Sequence, residues 1–257
     1  WTSTKPDKSF WSKMIHSTIS KFVINNSSFK INLLDFVFLG LIFLKFARFK
    51  NYPLYFKFFL TGFKYKWRKA LFLDLLLNDI HINYFNINNP NFSNIFFNGM
   101  AHIQHHYFFN SKVIQNSDLK NPSWYSNKDK DPIQEAFQFY NNILEDYLGR
   151  DDIKIAIATG LTQKPYDILK FYYKLTNHKK FFSKLKIDYL NIQELMSRDF
   201  ILYFIDKEKA KNCENLLNKI TLKKRNIFKI DNRGSNLFIT LVYPDEIKKN
   251  DILDNTS

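Results

Sequence analysis

Apolar residues follow two rhythms along the chain, and the change falls near residue 90. From Ser9 to about Ile80 they return at three- and four-residue intervals, so this stretch is predicted to be mostly helical. Its most apolar run, Phe36–Leu44 (FVFLGLIFL), is nine residues long and closed by Asp35 and Lys45. Crossing a bilayer takes about 20 apolar residues, so the run predicts a buried helix instead. Leu71–Leu77 reads as an ordinary core helix. Beyond residue 90 the apolar runs shorten and are bounded by turn residues. SNIFFN (93–98) leads into Asn98-Gly99 and predicts a strand followed by a turn. DIKIAIAT (152–159), stopped by Gly160, predicts a strand, as do FILYFI (200–205), NIFKI (226–230) and NLFITLVYP (236–244). The last two are joined by DNRGS as a hairpin with Gly234 at the turn.

Helices are predicted between these strands. Asp131-Pro132 opens an amphipathic helix over 133–148, with Ile133, Phe137, Tyr140, Ile143, Leu144 and Leu148 as its apolar positions and Gly149 at its end. KPYDILKFYYKLTNHKKFFSKL (164–185) reads as another, and Asp206 as the cap of KEKAKNCENLLNKI. Strands alternating with helices of crossover length imply an α/β fold, a mostly parallel sheet flanked by helices. Residues 1–88 form a basic helical insertion or cap in this reading. Residues 89–257 form the α/β core and end in a hairpin.

Composition narrows the class. With 45% apolar and 18% aromatic residues in 257, intrinsic disorder is excluded. A lone cysteine, Cys213, excludes an internal disulfide framework and reads as structural. Charge is unevenly placed: residues 1–70 hold 13 Lys/Arg against 2 Asp/Glu, and the remaining 187 hold 25 against 22. The asymmetry points to an anionic partner, while a plainly solvating surface competes with it. Residues 51–80 alternate aromatics with lysines, Lys64, Lys66, Arg68 and Lys69 lying close together. Such a segment lies in an anionic membrane interface or packs as a helix with snorkelling lysines, and the core helix that follows favours packing. No nucleic-acid module signature occurs, so nucleic acid is not an expected partner. The start at Trp1 lacks the apolar core of a signal peptide, and the compartment is left open.

The densest chemistry is Asn98-Gly-Met-Ala-His102-Ile-Gln104-His105-His106. On a helix, His102 lies above His105 and His106 at i+3 and i+4, so one face presents two imidazoles to a divalent metal, zinc among the candidates. The competing reading is one core histidine and two on the surface. His102, His105 and His106 are the candidate ligands. His105 or His106 is also the candidate proton donor, and Asn98 and Gln104 are candidates to orient substrate or water. Past the second strand, Thr159, Thr162 and Gln163 can hold a phosphate or hydroxyl-bearing substrate, or form a plain turn. Arg198 can clamp an anion with its fork or pair with a neighbouring acid such as Asp199. Asp231-Asn232-Arg233-Gly234 is a turn. No phosphate-cradling glycine loop, dinucleotide fingerprint, H-E-x-x-H or G-x-S-x-G is present.

At IFFNGMAHIQHHYFFNS, IAIATGLTQKPY, FYYKLTNH and MSRDFILYF the sequence resembles the alkaline phosphatase superfamily, nearest the type I phosphodiesterase/nucleotide pyrophosphatase branch, over roughly residues 70–245. The resemblance implies two metal ions, usually zinc, and a Thr or Ser nucleophile acting on a phosphate or sulfate ester of a small molecule or glycan. The family's Asp-x-x-x-His set matches Asn98 and His102, so Asn stands where the family has Asp. Its adjacent Asp-His matches Thr159-Gly160, which supplies neither, and no histidine follows His178. The nucleophile and the first metal carboxylate lie near the start of such proteins, so the chain resembles a C-terminal portion of one. The expected function is therefore a fragment of a metal-dependent hydrolase or transferase. The alternative is a catalytically inactive α/β protein that binds an anionic surface or polymer through its basic N-terminal segment.

Overall fold

Helix α4 (Arg68–Asn88) carries Leu71, Leu75, Leu76 and Ile80 one turn apart on one side, and all four are buried. It packs against α3 (Tyr52–Thr61), α5 (Gly99–Tyr107) and α6 (Pro132–Leu148). Tyr55, Phe58, Trp67, Ile103, Tyr107, Ile133, Ala136, Phe139 and Ile143 complete this core. In this computed structural model the described residues are 6–25, 31–114, 118–127, 129–159, 163–195 and 197–255. The chain divides into two compact units, residues 39–169 and residues 1–38 with 170–257.

The N-terminal quarter is helical as expected: α1 (Phe10–Asn25) and α2 (Leu33–Phe46) precede α3 and α4. Asn32 and Asp35 cap α2 reciprocally, each side chain accepting from the other's backbone N–H at 3.1 and 3.0 Å. The expectation that Phe36–Leu44 is buried is corrected. Only Ile42 of that run is buried, while Phe36, Val37, Phe38, Leu41 and Leu44 are exposed. Among the described residues no helix is long and apolar enough to cross a membrane.

Helix α6 begins at Pro132 with the Asp131 carboxylate accepting from Ile133 N and Gln134 N. Its inward stripe is Ile133, Ala136, Phe139 and Ile143. The predicted Phe137 and Leu148 face outward, because Phe139 fills the place against Phe58, their rings 5.7 Å apart.

The second unit holds a four-stranded sheet in the order β1-β2-β6-β5: β1 (Asn191–Glu194), β2 (Asp199–Tyr203), β6 (Asn236–Leu241) and β5 (Phe228–Asn232). Every neighbouring pair is antiparallel, with Phe200 opposite Ile239 and Ile230 opposite Ile239 on the other side. This overturns the mostly parallel sheet. Parallel neighbours need a crossover of a dozen or more residues, whereas four residues join β1 to β2 and three join β5 to β6. The hairpin stands as expected: Gly234 takes φ +88° at the turn, and the Asn232 side chain accepts from its N–H at 2.9 Å. A small second sheet pairs β3 (Ile220–Leu222) with β4 (Arg225–Asn226) and β7 (Asp254–Asn255). Helix α8 (Lys207–Asn218), capped by Asp206, lays Ala210, Cys213 and Leu217 on the sheet. Burial pushes the Cys213 thiol up to about 12, in keeping with a structural cysteine.

Three further expectations are corrected. Residues 93–98 and 152–159 form no strand, because an apolar run becomes one only against a neighbour and no described backbone pairs with either. Of 164–185 only α7 (His178–Lys184) is helical, its first turn capped by Asn177. Upstream of it, Tyr173 and Leu175 pack at alternate positions against the sheet core, and Phe171 N–H donates to the Pro244 carbonyl. That period-two contact wins over the helical reading.

Candidate functional site

Helix α5 carries the histidine cluster and is held at both ends. Its first turn leaves backbone N–H groups without helical partners, and the Asn98 side chain makes no cap bond. The cap comes from two other helices. Asp74 of α4 accepts from Gly99 N–H at 2.9 Å and from the Tyr140 hydroxyl of α6 at 2.5 Å, and that hydroxyl accepts from Met100 N–H at 3.0 Å. Burial outweighs these bonds and pushes the Asp74 carboxyl up to about 6. At the other end the buried Asn121 side chain donates to the His106 carbonyl at 2.8 Å. Ile103 and Tyr107 face the core, Tyr107 against Trp67 with ring centres 5.4 Å apart.

This anchoring turns the histidines outward. The His102 and His106 rings face one another with centres 4.5 Å apart, the i, i+4 pairing expected of one helix face. His106 Nδ1 lies 2.5 Å from the Tyr125 hydroxyl. Crowding by surrounding atoms lowers both imidazoles, the neighbouring histidines add to it, and His106 falls to about 4. Both rings are therefore neutral at pH 7, the form that accepts a proton or binds a metal. His105 turns toward the segment after residue 159: its Nε2 lies 3.3 Å from the Gln163 amide nitrogen. The Gln163 carbonyl oxygen is buried and has no hydrogen-bond partner among the described residues.

Two predicted stretches 58 residues apart in sequence thus meet, His105 with Gln163. Asn98 lies one turn before His102, accepting its N–H at 3.0 Å through the backbone, with its own side chain exposed. Gln104 is not brought to the facing pair, since two residues rotate it by about 200° from His102. Thr159 is exposed and Thr162 lies outside the described residues. Arg198 belongs to the other unit, where its guanidinium lies 4.7 Å from the Tyr172 ring centre. Its neighbour Asp199 accepts instead from the Thr240 hydroxyl at 2.6 Å.

As metal ligands, His102 and His106 fit two positions of a shell. Among the described residues no group of three or more His, Cys, Asp or Glu side chains converges as a full protein shell requires.

Sequence reasoning missed Asp74, Tyr140, Tyr125 and Asn121. None belongs to a motif, and each acts from a distant part of the chain. It also missed a polar network at the α3–α4–α6 junction. Asp79, wholly buried, accepts from Arg48 N, Arg48 Nε and Asn51 Nδ2 at 2.7–2.8 Å and from the Tyr55 hydroxyl at 3.0 Å. Asp146 accepts from Arg48, Lys50 and Asn78. Burial acts to raise the Asp146 carboxyl, but the Arg48 and Lys50 cations prevail and hold it below the usual range. A cleft of about 500 Å³ beside this network is lined by Lys50, Asn51, Lys57 and Asp146 among others. It contains none of the predicted site residues. Its lysines are paired within the protein, Lys50 with Asp146 and Lys57 with Glu135, which marks a helix junction.

Compared with known protein families, curated proteins and solved structures, the chain matches none.

Proposed function

We propose that residues 98–106, with Thr159 and Gln163, are part of a site that hydrolyses or transfers a phosphate or sulfate ester of a small molecule or glycan, as the resemblance to the phosphodiesterase/nucleotide pyrophosphatase branch implies. The observation that supports it is the meeting of His105 with Gln163 beside the His102–His106 pair. In this proposal His102 and His106 hold a divalent metal, zinc by preference, through neutral imidazole nitrogens. Such an ion supplies a Lewis acid for an ester oxygen. His105, tied to the Gln163 amide, serves as proton donor. Asn98 and the unpartnered Gln163 carbonyl oxygen orient a hydroxyl of the substrate or water.

The test is zinc titration of the full chain and of its His102→Ala and His106→Ala forms, with circular dichroism to confirm folding. Turnover of phosphomonoester, phosphodiester and sulfate ester substrates is measured alongside. The proposal expects each substitution to lower zinc affinity by roughly 100-fold. Equal zinc uptake together with equal turnover in the His102→Ala form overturns it.

A further inference from the structure

Between Asp35 and Asp74 the chain has no acidic residue, eight basic ones and 14 aromatics. Folding sorts the aromatics into two sets. Tyr55, Phe58, Tyr65 and Trp67 go into the core. Phe49, Phe56, Phe59 and Phe63 stay outside together with the aliphatic Leu60, each 62–85% exposed. Phe56, Phe59, Leu60 and Phe63 stand at i, i+3, i+4 and i+7, so they fall on one side of α3 and its following turn, turned away from the side that buries Tyr55 and Phe58. A helix that only packs inward carries polar groups on its outer face. A contiguous apolar stripe there marks a surface meant to be covered.

Charge identifies what covers it. Lys57, Lys64 and Lys69 lie close to the stripe in sequence and are exposed. Lys57 and Lys64 meet Glu135 and Asp129 yet keep half or more of their side chains in solvent, and Lys69 Nζ lies 5.5 Å from the Phe63 ring centre. A second copy offering the same face would set lysine against lysine. A polyanion would engage the lysines and leave four large apolar side chains in water. A surface with anionic headgroups over an acyl layer satisfies both sets of side chains. Ten residues of helix span about 15 Å, half a hydrocarbon core, so α3 would lie in the interface plane.

We propose that the outer face of α3 seats the protein on an anionic lipid bilayer, with Phe56, Phe59, Leu60 and Phe63 at the acyl boundary and Lys57, Lys64 and Lys69 among the headgroups. The inference is independent of the ester chemistry. It is tested by sedimenting the full chain with vesicles of phosphatidylcholine alone and of phosphatidylcholine mixed with phosphatidylglycerol. Binding to the mixed vesicles is expected to be at least roughly tenfold stronger. It should weaken but persist as salt rises from about 0.1 M to about 1 M. The double variant Phe59→Asp/Phe63→Asp, both at exposed positions and checked for folding by circular dichroism, is expected to lose binding. Lys64→Glu/Lys69→Glu is expected to lose the preference for the anionic lipid. Parent-like binding by the phenylalanine variant overturns the proposal. So does binding that vanishes in high salt and ignores the phenylalanines, which marks a polyanion site. A dimer that this variant dissolves, in a protein that ignores vesicles, overturns it too.

Discussion

Gly99 has no room for a side chain. A Cβ there would stand 2.6 Å from both the Asp74 carboxylate and the Tyr140 hydroxyl. Neither can retreat without breaking the cap of α5, so Gly99→Ala is expected to cost about 2–3 kcal/mol, read from chemical denaturation. Asp74 itself makes stability depend on pH. Its folded value is raised from 3.8 to about 6, so the folded state keeps a proton that the unfolded chain gives up. Its contribution is therefore full below about pH 4 and lost as pH rises through about 6, a change of about 3 kcal/mol. Asp74→Asn should remove that slope, and comparing the two denaturation profiles between those pH values checks it. His106 acts with the opposite sign: its value is lowered, so stability falls as pH drops below the ordinary histidine range. The comparison with Asp74→Asn separates the two. In the sequence, Asn98-Gly99 signals only a turn. The need for glycine comes from Asp74, 25 residues earlier, and Tyr140, 41 residues later, which no local pattern reveals.

At the scale of elements, what could be read was what is decided locally. Asp131 and Asp206 cap α6 and α8, and Gly234 turns the β5–β6 hairpin, because each acts within three residues of its partner. Strand pairing is decided elsewhere. Residues 152–159 alternate as a strand should, yet alternation states only which side chains share a face. It does not supply a neighbour. Residues 164–177 belong to the helix expected over 164–185, while contact with the sheet selects Tyr173 and Leu175 at alternate positions. The joining of helices was equally hidden. Asp79 ties the turn before α3 to α4 through Arg48 and Asn51, and Arg48 reaches on to Asp146 of α6. Asp79→Ala is expected to cost about 3–5 kcal/mol, since it leaves the Arg48 cation half-buried with one partner fewer. Faster amide exchange confined to α3, α4 and α6 would show that the loss acts at this junction.

For the molecule as a whole, the helical N-terminal quarter and the C-terminal hairpin were legible, and the direction of the sheet was not. The histidine cluster was visible as a motif, but its scaffold, Asp74 and Tyr140 at one end with Asn121 at the other, exists only once four separate segments meet. One feature of that fold reaches beyond the single molecule. Residues 153–159 form neither helix nor strand, Ile155 and Ile157 stand in solvent, and among the described residues no ladder covers this alternating stretch. Such a stretch is a template on which identical stretches stack, so solubility should be limited by concentration and not by unfolding. Ile157→Lys places a charge in the middle of that template. It is expected to delay the rise of thioflavin T fluorescence in concentrated samples and leave the thermal midpoint unchanged. If so, residues 153–159 set how much of this protein a solution can hold, while the cores set how firmly each molecule folds.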